Sequence, residues 1–207
     1  MYFIFLKKFI MKNINKAKII KLIKDDNYNK YTLINKINYD EFSKIVQVIK
    51  KKILSERNFF VCGNGGSAST ANHMACDFLN RIYILKKNIK IISLNSNIEI
   101  ITALGNDFGF ENIFSHQMKK LSKNGDLLIL FSVSGNSPNL VRAIEYAKKS
   151  KITVISFTGS NGGKVKKLSD FNCNIKSNDY GLVEDVHLSL MHSISNILVR
   201  KKNLLTN

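Results

Sequence analysis

The chain has 207 residues, 44% of them apolar, which is enough for one domain with a sizeable core and too little for a second full domain. Its formal net charge of +17 comes from 32 Lys and Arg against 15 Asp and Glu, but the excess is diffuse and mostly lysine, so it reads as a biased, solvated surface and argues against a nucleic-acid face. Three cysteines without a C-x-x-C pair argue against a disulfide framework and for a reducing, cytoplasmic setting.

The opening run "MYFIFLKKFIMKNINKAK" is apolar and then basic. Lys7 and Lys8 interrupt its apolar part, which is too short to span a bilayer, and no small-residue cleavage site follows. It is expected to be an amphipathic or poorly ordered extension, with Met11 an alternative start, and no other segment approaches membrane-spanning length. Residues 1–37 lack strong periodicity and are expected to form an N-terminal extension with a peripheral helix, leaving 38–207 as a single domain. From there, short apolar, β-branched runs predict strands at 58–63, 89–94, 126–132, 152–158 and 171–175. Helical patterns lie between and around them at 39–56, 66–82, 108–122, 137–150, 162–169 and 182–202. Strand alternating with helix implies βαβ units and a parallel sheet covered on both faces, an α/β fold. Cys62 and Cys173 fall in predicted strands and are expected in the core, as is Cys76, which has no partner in sequence.

Ligands of such sheets bind at the carboxyl ends of the strands, where helix N-termini present backbone N–H groups. Two loops there share one chemistry. "GNGGSAS" follows the first strand, bringing Asn64, Gly65 and Ser67, and "FSVSGNSPN" follows the third, bringing Ser132, Ser134 and Ser137 around Gly135. One such loop could be an ordinary turn and helix cap; two on one sheet point to a phosphate site. Neither matches a nucleotide fingerprint, since G-x-G-x-x-G spacing and a G-x-x-x-x-G-K-[ST] loop are both absent.

His73 and Asp77, four residues apart, share a face of the helix that leaves the first loop. They could ligate a divalent metal or act as base and acid, or be a satisfied imidazole beside a solvated carboxylate. The last helix carries "VEDVHLSLMH", in which Glu184 shares a face with His187 and lies about 80° from His192. Periodicity alone does not choose between the two histidines.

"GNGGSAS", "ALGNDFGFENIFSHQ", "FSVSGNSPN" and "TGSNGGK", in this order over residues 40–200, together resemble the sugar isomerase (SIS) domain family, and within it the phosphoheptose isomerases. The resemblance implies a five-stranded parallel sheet between helices, a flavodoxin-like or Rossmann-like three-layer fold, assembled as a homotetramer with sites at subunit boundaries. It implies a sugar-phosphate pocket of Asn64, Gly65, Ser67, Ser132, Ser134 and Ser137, with Asp107 near the sugar hydroxyls. It further implies Zn²⁺ held by His73, Asp77, Glu184 and His192, with His187 in support, no nucleotide, and Asp77 and His192 in the acid–base roles. The implied reaction converts sedoheptulose 7-phosphate to a glycero-manno-heptose 7-phosphate for lipopolysaccharide or capsule. Asp77 stands where the family usually has Glu, Glu184 where it has Gln, and Gly181 and Leu182 replace an Asp-Arg pair. Those departures leave room for an isomerase of another sugar phosphate, or for a non-catalytic SIS protein of the kind that partners a replication initiator.

Overall fold

The structure, a computed structural model, describes residues 15–200. The expectations for residues 1–14, including Met11 as a start, lie outside the described residues. The five apolar runs form β1 (Phe59–Cys62), β2 (Ile91–Ser93), β3 (Leu127–Ser132), β4 (Thr153–Thr158) and β5 (Phe171–Asn174). Every neighbouring pair is parallel, in the order β2-β1-β3-β4-β5, and the register aligns Val61 with Ile129 and Ile129 with Ile155 across the middle.

The strands read as continuous apolar runs because both faces of the sheet are covered. Phe59, Val61, Ile129, Phe131 and Phe157 point to one side. There they meet α2 (Tyr39–Leu54), α3 (Gly66–Ile84) and α8 (Tyr180–Arg200) through side chains such as Ile49, Met74 and Met191. Phe60, Cys62, Leu128, Leu130 and Val154 point to the other. Their partners come from α5 (Ile113–Leu121), α6 (Pro138–Lys149) and α7 (Gly163–Leu168), among them Phe114, Ile144 and Val165. Each such fully buried side chain contributes about 1.5–3 kcal/mol relative to exposure. Pro138 sits in the first turn of α6, where its missing N–H costs nothing.

Two features, α4 and Cys76, differ from the sequence reading, and the expected peripheral helix is longer than its weak periodicity suggested. A helix, α4 (Ile98–Phe108), precedes the expected one. Asn97 caps it by accepting the Ile100 N–H at 2.9 Å, Gly109 (φ 85°) ends it, and a 3₁₀ turn (Phe110–Asn112) leads into α5. In the N-terminal part, α1 (Lys16–Asn35) runs 20 residues without burying one of them, and Lys30 pairs with Asp185 of α8 at 2.8 Å. Cys76 is exposed: the buried positions of α3 include Ala71, Met74 and Phe78, and Cys76 falls between them on the opposite phase. Cys62 and Cys173 are buried, and burial pushes both thiols up, Cys173 to about 12. Among the described residues, no helix is long and apolar enough to cross a membrane.

Candidate active site

In this strand order the winding reverses between β1 and β3, so the loops at their carboxyl ends part and leave a crevice. A cleft of about 360 Å³ lies there. The first loop lines it with Asn64, Gly65, Gly66 and Ser67, the end of β3 and the second loop with Phe131, Ser132, Val133, Ser134 and Ser137, and α8 with Tyr180 and Glu184. The two Ser/Gly loops, far apart in sequence, thus share one concavity.

Each loop is held before any ligand arrives. Gly63 donates its N–H to the Asn95 amide oxygen (3.1 Å) and accepts from the Asn95 amide nitrogen (2.9 Å). Gly65 precedes α3 at φ 56°, ψ −127°, a conformation side-chain-bearing residues rarely adopt, and so turns the first N–H groups of the helix toward the cleft. In the second loop the Ser132 hydroxyl accepts the Gly135 N–H (3.1 Å) and the Ser134 hydroxyl accepts the Asn136 N–H (3.3 Å). Asn136 in turn accepts the Lys164 N–H at 3.1 Å, tying this loop to "TGSNGGK". Ser137 is the N-cap residue of α6 yet makes no side-chain cap bond, which leaves its hydroxyl available to the cleft. The loops are joined by a reciprocal amide pair: Asn64 donates to Asn139 at 3.0 Å and Asn139 donates back at 2.8 Å. Asn64 therefore has its side-chain amide engaged with Asn139, which is fully buried.

Glu184 sits against the first turn of α3, and a Cβ on Gly66 would collide with its carboxylate. Burial raises its pKa above the usual carboxylate value and Asp185 adds to that, while the nearby Ser67 backbone N–H opposes both.

Farther along the same two helices, His73, Asp77 and His192 converge, with one potential donor atom from each lying within 4.8 Å of the others. The His73 and His192 Nε2 atoms are 2.9 Å apart, their rings edge-to-face, and each Nε2 is 3.8 Å from an Asp77 carboxylate oxygen. Two imidazoles and a carboxylate aimed at one point suit Zn²⁺, and three protein donors leave a fourth position for a water or substrate oxygen. Glu184 is not in this group; eight residues separate it from His192, about 12 Å along the helix.

The structure also separates the two histidines of α8. His187 is buried between Phe131 and Phe157, its ring nitrogens without a hydrogen-bond partner of good geometry. Burial pushes its pKa from 6.5 down to about 4, with the nearby Thr158 backbone opposing. Asp107 lies on α4, exposed, accepting from the Asn106 amide at 2.8 Å, and does not line the cleft. Gly181 and Leu182 form the first turn of α8, where the Leu182 N–H donates to Asp179 (3.0 Å), and they too stand outside the cleft lining. Sequence reasoning missed Tyr180 and Asn139. Tyr180 could have been found from its spacing, one turn before Glu184 on the same face.

A doubly wound sheet with two Ser/Gly loops at its switch point defines an α/β domain of the class that takes its ligand in that crevice. The chain belongs to the SIS domain family, whose sequence model matches residues 29–159. Its relatives include phosphoheptose isomerases. That of Helicobacter pylori is 36% identical over 155 residues, covering 75% of this chain and 81% of the relative. That of Sulfurimonas denitrificans is 33% identical over 196 residues, covering 95% and 96%. The solved structure of a phosphoheptose isomerase from Francisella tularensis matches with a TM-score of 0.81 at 25% identity, covering 91% of this chain and 100% of that one.

Proposed function

We propose that this chain is an aldose–ketose isomerase that interconverts sedoheptulose 7-phosphate and D-glycero-D-manno-heptose 7-phosphate. The observation that carries the reading is the pairing of two sites on α3 and α8: a serine-lined cleft at one level and the His73, Asp77, His192 cluster at the next. Gly66 and His73 are seven residues apart, about 10 Å of helix, a separation that an extended seven-carbon sugar phosphate spans from phosphate to carbonyl end. The phosphoheptose isomerase relatives support the choice of substrate.

The reaction moves one proton between adjacent carbons and another between their oxygens. Ser132, Ser134, Ser137 and the N–H groups at Gly65 and Ser67 hold the phosphate, and Asn64 fixes the two loops in register. Holding the far end of a substrate in this way can contribute about 7–11 kcal/mol in well-oriented systems. Asp77 takes the carbon-bound proton, and His192 carries the proton between the oxygens. A divalent ion, Zn²⁺ at one per subunit, held by His73, Asp77 and His192, supplies Lewis-acid polarisation of the carbonyl when bound. The catalytic unit is the single domain of residues 38–207, with 1–37 as an N-terminal extension whose α1 meets α8 through the Lys30–Asp185 pair. Exposed apolar side chains on α1 and α4, including Ile23, Tyr31, Ile98 and Phe108, support assembly as a homotetramer, in which Asp107 approaches a cleft from a neighbouring copy. The enzyme works in the cytoplasm, without nucleotide, and feeds heptose to lipopolysaccharide or capsule.

The test is turnover of sedoheptulose 7-phosphate by the purified chain, with zinc quantified in the same sample and a chelated control beside it. Zinc-dependent turnover is the expected result. Bound zinc without turnover would redirect the assignment to another ketose phosphate, a reading that draws on Glu184 in the cleft and on Gly181 and Leu182 in place of an Asp-Arg pair in the first turn of α8. Neither zinc nor turnover would leave a binding protein.

A further inference from the structure

The cleft has one charged side chain in its lining, and its sign opposes an anion. In a chain with 32 Lys and Arg, none lines the cleft among the described residues, whereas Glu184 does. Its carboxylate lies where a side chain on Gly66 would begin, against the first turn of α3, where the Ser67 backbone N–H favours its charged form. It therefore occupies the positive end of α3, where a ligand anion gains most from the dipole and the unpaired N–H groups. The same placement keeps it out of the His73, Asp77 and His192 group.

Resting on the reading of this cleft as a sugar-phosphate site, we propose that Glu184 is a built-in competitor for the anion position and not a fourth metal donor. Its carboxylate holds the N-terminus of α3 until a substrate displaces it. Free phosphate has to displace or crowd that carboxylate and offers little in return. A sugar phosphate brings hydroxyls that donate to the displaced carboxylate, so the loss is offset. Glu184 thereby discriminates sugar phosphates from free phosphate, which makes it a specificity-determining residue of the proposed reaction.

The experiment titrates inorganic phosphate calorimetrically into the full chain as wild type, Glu184→Gln and Glu184→Ala. Zinc content and turnover of sedoheptulose 7-phosphate are measured on the same samples. The expected result is a Kd for inorganic phosphate lower by about fivefold or more in both variants. Zinc stays at the wild-type level, and KM for the sugar phosphate falls less than that Kd. Phosphate affinity that is unchanged or weaker in both variants overturns the proposal, and so does loss of zinc in Glu184→Ala, the behaviour of a metal donor. If wild type turns over the sugar phosphate while phosphate affinity ignores Glu184, the competitor role alone fails. If no form binds phosphate and wild type is inactive, the reading beneath it fails as well.

Discussion

The serine cleft and the His73–Asp77–His192 cluster stand at two levels of one helix pair and are built by opposite means. The cleft is backbone and short polar side chains from two loops, fixed by the Asn95 amide, the Ser132 hydroxyl and the paired amides of Asn64 and Asn139. The cluster is three partly exposed side chains, two of them 119 positions apart, brought together only by the packing of α3 on α8. The cleft is preorganised locally; the cluster depends on how two helices meet. The two should therefore fail independently.

The sharpest way to separate them is Asp77→Asn, which should lower kcat about 10²- to 10⁴-fold while inorganic phosphate binding and the thermal midpoint stay as in wild type. An active Asp77→Asn enzyme would take Asp77 out of the role of base. Stripping the metal with a chelator should likewise abolish turnover and leave phosphate titration unchanged. Loss of phosphate binding on chelation would merge the two sites into one.

Next in size is an acid effect carried by His187, which lies beneath the cleft against Phe131. Its folded pKa, near 4, is below the unfolded value of 6.5, so the unfolded chain binds the proton first as pH falls. The stability this neutral histidine confers is fully present above about pH 6.5 and is lost as pH drops toward 4, about 3 kcal/mol in all. Denaturant unfolding at pH 7 and pH 4 should show that loss, and His187→Leu should shrink the difference between the two pH values. An identical difference in the variant would assign the acid effect to other groups. Smallest is Asn139→Ala, which leaves the Asn64 amide without its partner and should destabilise by about 1–3 kcal/mol. It should also weaken phosphate binding while leaving the metal content intact; a variant that loses zinc first would reverse the proposed division between loops and cluster.

How much of this was readable in the chain follows from the same division. β1, β3 and β4 were legible because they bury both faces, as Phe59 and Phe60 do on opposite sides of β1, and the half-buried edge strands β2 and β5 showed as shorter apolar runs. α2, α3 and α6 announced themselves through apolar stripes that face this chain's own core. α1 was expected only as a peripheral helix without bounds and α4 was missed, since neither fully buries a residue here and many of their apolar side chains, such as Ile23 and Ile98, point outward. Periodicity detects a helix by the face it buries, and those two cover only a few partly buried side chains, such as Leu33, Ile34, Ile101 and Leu104. The loops were legible because glycine and serine cluster in them directly after apolar runs, whereas the Asn64–Asn139 pair was not, because nothing in sequence marks which asparagines meet across 75 positions. Periodicity left His187 and His192 open and the resemblance favoured His192; packing gives the physical reason, sending one ring into the phenylalanine core and the other to the α3 face. Cys76 shows the converse error, a residue placed in the core by type and exposed by helical phase.

The cleft lining, with serines and backbone N–H groups in place of lysine or arginine, has a consequence for rates. Neutral donors pointed at a bound phosphate are little affected by mobile ions, so the dissociation rate of a sugar phosphate should barely change with ionic strength. The formal net charge of +17 is spread over the exterior instead, where it draws a dianion in from a distance set by the Debye length, about 8 Å at physiological salt. Arrival and departure are then governed by different parts of the molecule, and raising salt slows the first while sparing the second.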